Sequence, residues 1–257
     1  MRMNDSILLR TDKISKRFGG LCAVNQVDFT LQQGQLKSII GPNGAGKTTL
    51  FNLMAGVYRP TNGKVFFKDK EITDLSLHKT SQLGITKTYQ LTHIFPNLTV
   101  FENVRISAQS RNTAFNFWRT THSFSELNER ALDILEQVEL LNKRNVLAYT
   151  LSHGERRYLE IGIALATEPK VLLLDEPTAG MSCAETNLCA ALIKKLNREL
   201  NLSIVLVEHD MSVVMGISDE ILVLNEGRTL AEGTPIEISN NEEVQRVYLG
   251  DGQPCST

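Results

Sequence analysis

The sequence has almost no surplus charge of either sign. A net charge of −2 over 257 residues lacks the basic footprint that nucleic-acid binding leaves. Cysteine is scarce as well. The four present, Cys22, Cys183, Cys189 and Cys255, form no CxxC pair and have no histidine at metal spacing. That excludes a disulfide framework and a zinc site, and suits reduced thiols in a cytosolic protein. Long hydrophobic runs are missing: the strongest, 171–174 and 204–207, fall far short of the roughly 20 apolar residues of a membrane helix. Asp5 and Arg10 interrupt the N-terminal segment, which has no continuous apolar stretch of the signal-peptide kind. The expectation is a chain that stays in the cytoplasm, with any membrane role coming through a partner. No internal repeat, low-complexity tract or long linker divides the sequence, which reads as one compact unit.

What is present is ordinary in bulk and specific in arrangement. Contents of 42% hydrophobic and 22% charged residues are those of a globular protein. The length suffices for one large domain or two lobes on a shared core. Segments 7–9, 24–31 and 38–40 predict strands, 41–46 is Gly-rich, and 47–55 has helical character. Further short strands are predicted at 63–67 and 84–89. From there to about residue 150 the pattern turns helical. Leu127, Ala131, Leu135, Val138 and Leu141 recur at spacings of three and four, the stripe of an amphipathic helix. Residues 111–123, which hold the sole tryptophan, Trp118, lack periodicity and predict a surface loop or short hairpin. Strands at 171–174, 204–207 and 221–224 then alternate with a helix through Leu188, Leu192 and Leu196, and 240–249 predicts a last helix. The fold class is α/β.

Three segments carry chemistry. Gly41-Pro42-Asn43-Gly44-Ala45-Gly46-Lys47-Thr48 fits G-x-x-x-x-G-K-[ST] between a strand and a helix. Glycines let backbone N–H groups curl around phosphate oxygens, and the helix points its positive end at them. In such a loop Lys47 reaches the β- and γ-phosphates and the Thr48 hydroxyl ligates Mg2+. The second segment is four apolar residues followed by Asp175 and Glu176. It predicts a parallel strand buried on both faces, with two carboxylates at the C-terminal edge where open α/β sheets bind ligands. Asp175 is assigned to the Mg2+ shell, and Glu176 to accepting a proton from, or orienting, an attacking water. The third, Leu151-Ser152-His153-Gly154-Glu155, precedes a helix. Alone it reads as an N-cap, with Ser152 capping and Glu155 completing a capping box.

In this position the third segment resembles the LSGGQ signature of ABC ATPases. Three further residues match that family in order: Phe18 the aromatic that stacks on adenine, Gln90 the Q-loop glutamine, and His209 the switch histidine. The resemblance runs from about residue 7 to Gly250. It implies a P-loop NTPase of the ABC ATPase type, with 1–257 a single nucleotide-binding domain. Within it the family has an antiparallel β-subdomain built from the N-terminal strands and a helical subdomain, here about 91–165. It also implies a head-to-tail pair with ATP sandwiched between two copies. Phe18 and 41–48, with Thr49, then bind nucleotide in cis, and Ser152 and Gly154 in trans. The implied catalytic set is Glu176, His209 and Gln90, and the implied Mg2+ set is Thr48, Gln90 and Asp175.

Finer segments are similar to the ATPases of branched-chain amino acid importers: Arg17-Phe18-Gly19-Gly20-Leu21, Thr99-Val100-Phe101-Glu102-Asn103, Leu159-Glu160-Ile161, 208–219, 231–235 and 247–250. Urea-importer ATPases are resembled through 151–154 and 179–181, and a lipopolysaccharide-export ATPase through the C-terminal ending. Amino acid import is the first reading; urea or amide import and lipopolysaccharide-type export are the alternatives. The implied partners are transmembrane permease subunits, a second ATPase subunit in a homo- or heterodimer and, indirectly, a periplasmic or extracellular solute-binding protein. Nucleic acid is not among them. The implied location is peripheral, on the cytoplasmic face of the cell membrane. Leu91, His93, Ile94, Phe95 and Pro96 are expected to line the groove that takes a short helix of the membrane subunit.

Departures from the family pattern are His153 and Glu155 in place of Gly and Gln, Tyr89 where Phe is common, and Ser182 at the D-loop Asp. ABC ATPases that act on DNA or ribosomes carry paired cassettes, zinc modules or coiled coils, for which this chain has no room. A non-hydrolysing nucleotide-binding scaffold sits poorly with the presence of both Glu176 and His209.

Overall fold

The computed structural model describes residues 7–88, 94–110 and 122–249. Tyr89, Gln90, Leu91, His93, Trp118 and Cys255 lie outside the described residues. The chain runs β1 (Ile7–Phe18), β2 (Leu21–Gln32), β3 (Leu36–Ile40), α1 (Lys47–Met54), β4 (Asn62–Phe67), β5 (Lys70–Glu71), α2 (Leu77–Leu83) and β6 (Ile85–Lys87). Helices α3 (Val100–Ser110), α4 (His122–Gln137) and α5 (His153–Leu165) follow. Then come β7 (Val171–Asp175), α6 (Cys183–Glu199), β8 (Ser203–Val207), α7 (Met211–Ile217), β9 (Glu220–Asn225), β10 (Arg228–Gly233), α8 (Pro235–Ser239) and α9 (Glu242–Leu249).

Two sheets result. The N-terminal strands form an antiparallel sheet in the order β2-β1-β4-β5. The larger sheet has the order β10-β9-β3-β8-β7-β6, parallel from β9 to β6 and antiparallel only at β10. Strand β7 shows why a continuous apolar run was needed. Val171 and Leu173 point into one core and Leu172 and Leu174 into another, because successive side chains of a strand face opposite ways. The first core joins that sheet face to α1 and the antiparallel sheet through Leu50, Phe51, Phe29 and Val65. The second joins the other face to α3, α4, α5 and α6. The amphipathic stripe is in it: Ala131, Leu135 and Val138 are buried, with Leu127 and Leu141 packed on the rim.

The elements differ from the sequence expectation where local irregularity hides the pattern. β1 and β2 each run 12 residues, beyond the predicted 7–9 and 24–31. Register shifts between Thr11 and Ile14 and again up to Arg17 break the alternation, and Lys13 sits at φ 43°. β6 stops at Lys87, and Gly84 belongs to the cap of α2 instead of the strand. Helices α2, α7 and α8, of seven, seven and five residues, are too short to display a 3.6-residue period and were not predicted.

Candidate functional site

The Gly-rich loop leaves the buried end of β3 and closes into α1. Gly44 and Gly46 sit at φ 79° and 98°, in the left-handed region that favours glycine. A Cβ at Gly46 would lie 2.3 Å from the Ala23 carbonyl oxygen, so no larger residue lets the loop pack against β2. Gly46 is the N-cap of α1 and brings no side-chain capping bond, which leaves the first N–H groups for an anion. Lys47 is only 5% exposed. Its Nζ donates to the carbonyls of Gly41 (2.7 Å) and Pro42 (2.9 Å), ready to exchange them for phosphate oxygens. Burial lowers its pKa, while the charges of Glu176 and Asp175 pull it back up. Thr48 and Asn43 are exposed beside the loop, Thr49 and Pro42 are half-buried, and Ala45 is buried.

Two carboxylates stand at the C-terminal edge of the sheet. Asp175 is buried at the end of β7. Burial raises its pKa, Lys87 lowers it, and Glu176 adds a smaller upward push. Lys87, the last residue of β6, brings Nζ to 3.5 Å from Asp175 Oδ2 and donates to Asn52 Oδ1 at 2.5 Å. Its own pKa is lowered by burial, against an upward pull from Asp175. Asp175 Oδ1 is buried with no hydrogen-bond partner among the described residues. An anionic oxygen in that condition is a hard donor of the kind that fits Mg2+, as is the Thr48 hydroxyl assigned to it by the loop motif.

Glu176 turns the chain out of the sheet at φ 47°. Its N–H donates to the Val207 carbonyl at 2.9 Å, and its Oε1 lies 2.9 Å from His209 Nε2. The following residues are held by Glu208, a buried carboxylate. Glu208 Oε1 accepts from the N–H (2.9 Å) and the hydroxyl (2.7 Å) of Thr178. Its Oε2 accepts from the His209 N–H at 3.1 Å. β7 and β8 are hydrogen-bonded neighbours, which is how residues 33 positions apart come to share one bond.

The start of α5 is the capping box expected from its sequence: Ser152 accepts from the Glu155 N–H, and Glu155 accepts from the Ser152 N–H. Glu155 is also paired with Lys143. Burial would raise its pKa, but the bonds from Lys143 and Ser152 outweigh this and hold it low. The substituted carboxylate is thus occupied within its own helix start. Ser182, at the D-loop position, caps α6 in a box with Glu185. His153 Nε2 lies 3.0 Å from the Ala179 carbonyl. Phe18 is 43% exposed. Its ring meets Tyr58 edge-on at 5.5 Å and Lys16 Nζ lies 5.2 Å from its centroid, which suits stacking of a further ring.

The structure therefore brings together Lys47, Asp175, Glu176 and His209, while Gln90 lies outside the described residues. Sequence reasoning missed Tyr58, Lys87, Arg157 and Glu208. Arg157 had a signal: it falls at i, i+4, i+7 with Ile161 and Ala164, both buried, a charge on an apolar stripe. Glu208 fell within the resembled segment 208–219 but with no role attached, and Tyr58 and Lys87 act on residues remote in sequence.

A phosphate-binding loop after β3, opposed by an acidic pair at the end of β7 and flanked by a separate antiparallel sheet, defines an ATP-binding cassette of the P-loop class. The family described as "ABC transporter" matches residues 24–179, and the chain belongs to it. A second family, "Branched-chain amino acid ATP-binding cassette transporter", matches residues 228–253. The chain is 42% identical over 250 residues to the high-affinity branched-chain amino acid transport ATP-binding protein LivG of Escherichia coli, covering 95% of this chain and 98% of that one. It is 43% identical over 251 residues to BraF of Pseudomonas aeruginosa, with the same description and the same coverage of 95% and 98%. Among solved structures it is similar to the dimeric post-hydrolysis state of the cassette MJ0796 bound to ADP and Pi, at TM-score 0.75 and 27% identity over 89% of this chain and 99% of that one.

Proposed function

We propose that this chain is the ATP-hydrolysing subunit of an importer that takes up branched-chain or other amino acids through separate membrane subunits. The observation that carries the hydrolytic part is the Glu176–His209 contact of 2.9 Å, set beside a buried Lys47 already folded over the Gly-rich loop. In this reading the N–H groups of 43–49 and Lys47 hold the β- and γ-phosphates, and Phe18 stacks on adenine. Mg2+ would be held by Thr48, Asp175 and Gln90, and its charge would offset that of the phosphates. Glu176 takes the proton of the attacking water, whose oxygen bonds to the γ-phosphorus as the bond to the leaving ADP oxygen breaks. His209 keeps Glu176 aimed at that water. The whole chain is one cassette with α3 to α5 as its helical subdomain. Ser152 and Gly154 of a second ATPase subunit, identical or a sister, close over the nucleotide.

The names of LivG and BraF and the match at 228–253 support amino acid import over the urea and lipopolysaccharide readings. No described helix is long and apolar enough to cross a membrane; in the proposal separate membrane subunits form the path, and the chain sits on their cytoplasmic side. In vesicles containing the assembled transporter and its solute-binding protein, ATP should drive accumulation of leucine, isoleucine or valine. Accumulation of urea, with none of these three, would overturn the substrate assignment.

A further inference from the structure

The site reading leaves the buried Arg157 without a task. Arg157 lies in the second turn of α5 and is buried, paired at 2.6 Å with the equally buried Glu160. That pair uses Nη1 alone. The other edges of the guanidinium point away from α5: Nε donates to the Pro177 carbonyl at 3.0 Å and Nη2 to the Glu176 carbonyl at 3.0 Å. A buried ion pair is a poor device for stability alone, since apolar residues of similar volume often serve as well. The planar fork of an arginine is instead suited to fixing two acceptors in one geometry.

One of those carbonyls belongs to a residue that needs fixing, and the other to the residue after it. Glu176 occupies left-handed backbone at φ 47°, a conformation that a non-glycine residue keeps only when its surroundings over-determine it. Val207, at the end of β8, holds its N–H, and Glu208, the next residue, holds Thr178. Arg157 reaches the segment from α5, and His153, one turn earlier on α5, reaches the Ala179 carbonyl of the same segment.

We propose that Arg157 is a positioning residue for ATP hydrolysis, fixing the backbone that carries Glu176 and tying it to the helix start that faces the partner copy's nucleotide. The inference rests on the paired-cassette reading above. A shift of α5 on closing over the partner's ATP would be delivered, through this guanidinium, to the carboxylate of the subunit's own site. Each site would then sense the occupancy of the other.

The test compares full-length variants for kcat, KM and ATP binding. Arg157→Met is made together with Glu160→Gln, so that no unpaired charge is left buried. The expected result is a fall in kcat of about tenfold to a hundredfold, the usual cost of a misplaced catalytic group, with KM and ATP affinity within about twofold. Arg157→Lys keeps the charge but not the fork, should give an intermediate kcat, and carries the same comparison if the double variant does not fold. A kcat within about twofold of the parent in the folded variants would overturn the proposal. So would a parallel loss of ATP binding that Lys does not restore, which marks a merely structural role. Glu176→Gln is run alongside: if it hydrolyses ATP at the parent rate, the site reading itself has failed, separately from Arg157.

Discussion

Glu176 and Lys47 do opposite work in the proposed site, and single substitutions separate them. Glu176→Gln preserves shape and the contact with His209 while losing proton acceptance. ATP binding should persist, turnover should fall by at least about a hundredfold, and size-exclusion chromatography with ATP should show a trapped dimer. Lys47→Ala removes the cation nearest the loop and should abolish ATP binding in a fluorescent-nucleotide titration; unchanged affinity would contradict its placement. Both residues were legible in the sequence because their motifs are contiguous: a cradle of backbone N–H groups needs consecutive residues, and a strand end delivers adjacent carboxylates. Lys87 and Glu208 were not legible, since their partners Asp175 and Thr178 lie 88 and 30 positions away and meet them only once the strands are ordered. Arg157 stood between these cases, visible as a misplaced charge but with no visible acceptor.

Among the elements, several helix starts share one local device. Thr99 with Glu102, Ser152 with Glu155, Ser182 with Glu185 and Thr234 with Glu237 all form reciprocal caps. All have the spacing of a capping box, but only Ser152 with Glu155 was read as one from the sequence. In Glu102, Glu185 and Glu237 the bonds from the capped backbone and hydroxyl hold the carboxyl pKa below its usual value. The sign follows from linkage. A carboxylate with a lowered folded pKa adds stability that is present above the unfolded value, about 4.3, and is lost as pH falls through the folded one. Thermal melts should therefore show Tm dropping below about pH 4.3. Glu237→Gln, which keeps the box without a titrating group, should make that drop shallower. Strand ends were less legible than helix starts, because the shifts in β1 move side chains between faces and no residue type marks where this happens.

For the whole molecule, the question is which surface would meet the proposed membrane subunits. The expected groove after Gln90 divides in two. Ile94 packs into the helical core, whereas Phe95 is 53% exposed. Phe95 is held there by its backbone: its N–H donates to Asn103 Oδ1 at 2.7 Å, and its carbonyl accepts from Asn103 Nδ2 at 3.1 Å. Tyr149 and Leu147 are exposed nearby, with the Tyr149 N–H bonded to the Pro96 carbonyl. Phe95→Asp should leave folding and ATP binding intact while abolishing co-purification with the membrane subunits. A variant that unfolds would instead make Phe95 part of the core. Leu135→Ala, on the buried stripe of α4, should cost about 2–5 kcal/mol of unfolding free energy in a denaturant titration.

The large sheet has a consequence for how the molecule breathes. Its inner strands β3, β7 and β8 are the shared wall of two cores, so neither can be flooded without exposing the other through that wall. Amide protons of these strands should exchange with deuterium only on global opening, and together. Those of α3 and α4, which border one core, can exchange through local excursions that leave the wall standing. Asp175 and the backbone of Glu176 belong to the slowest-opening wall, and the surface around Phe95 to the faster lobe. The motor's chemistry is thereby mounted on the part that yields last, and its proposed grip on a partner on the part that yields first.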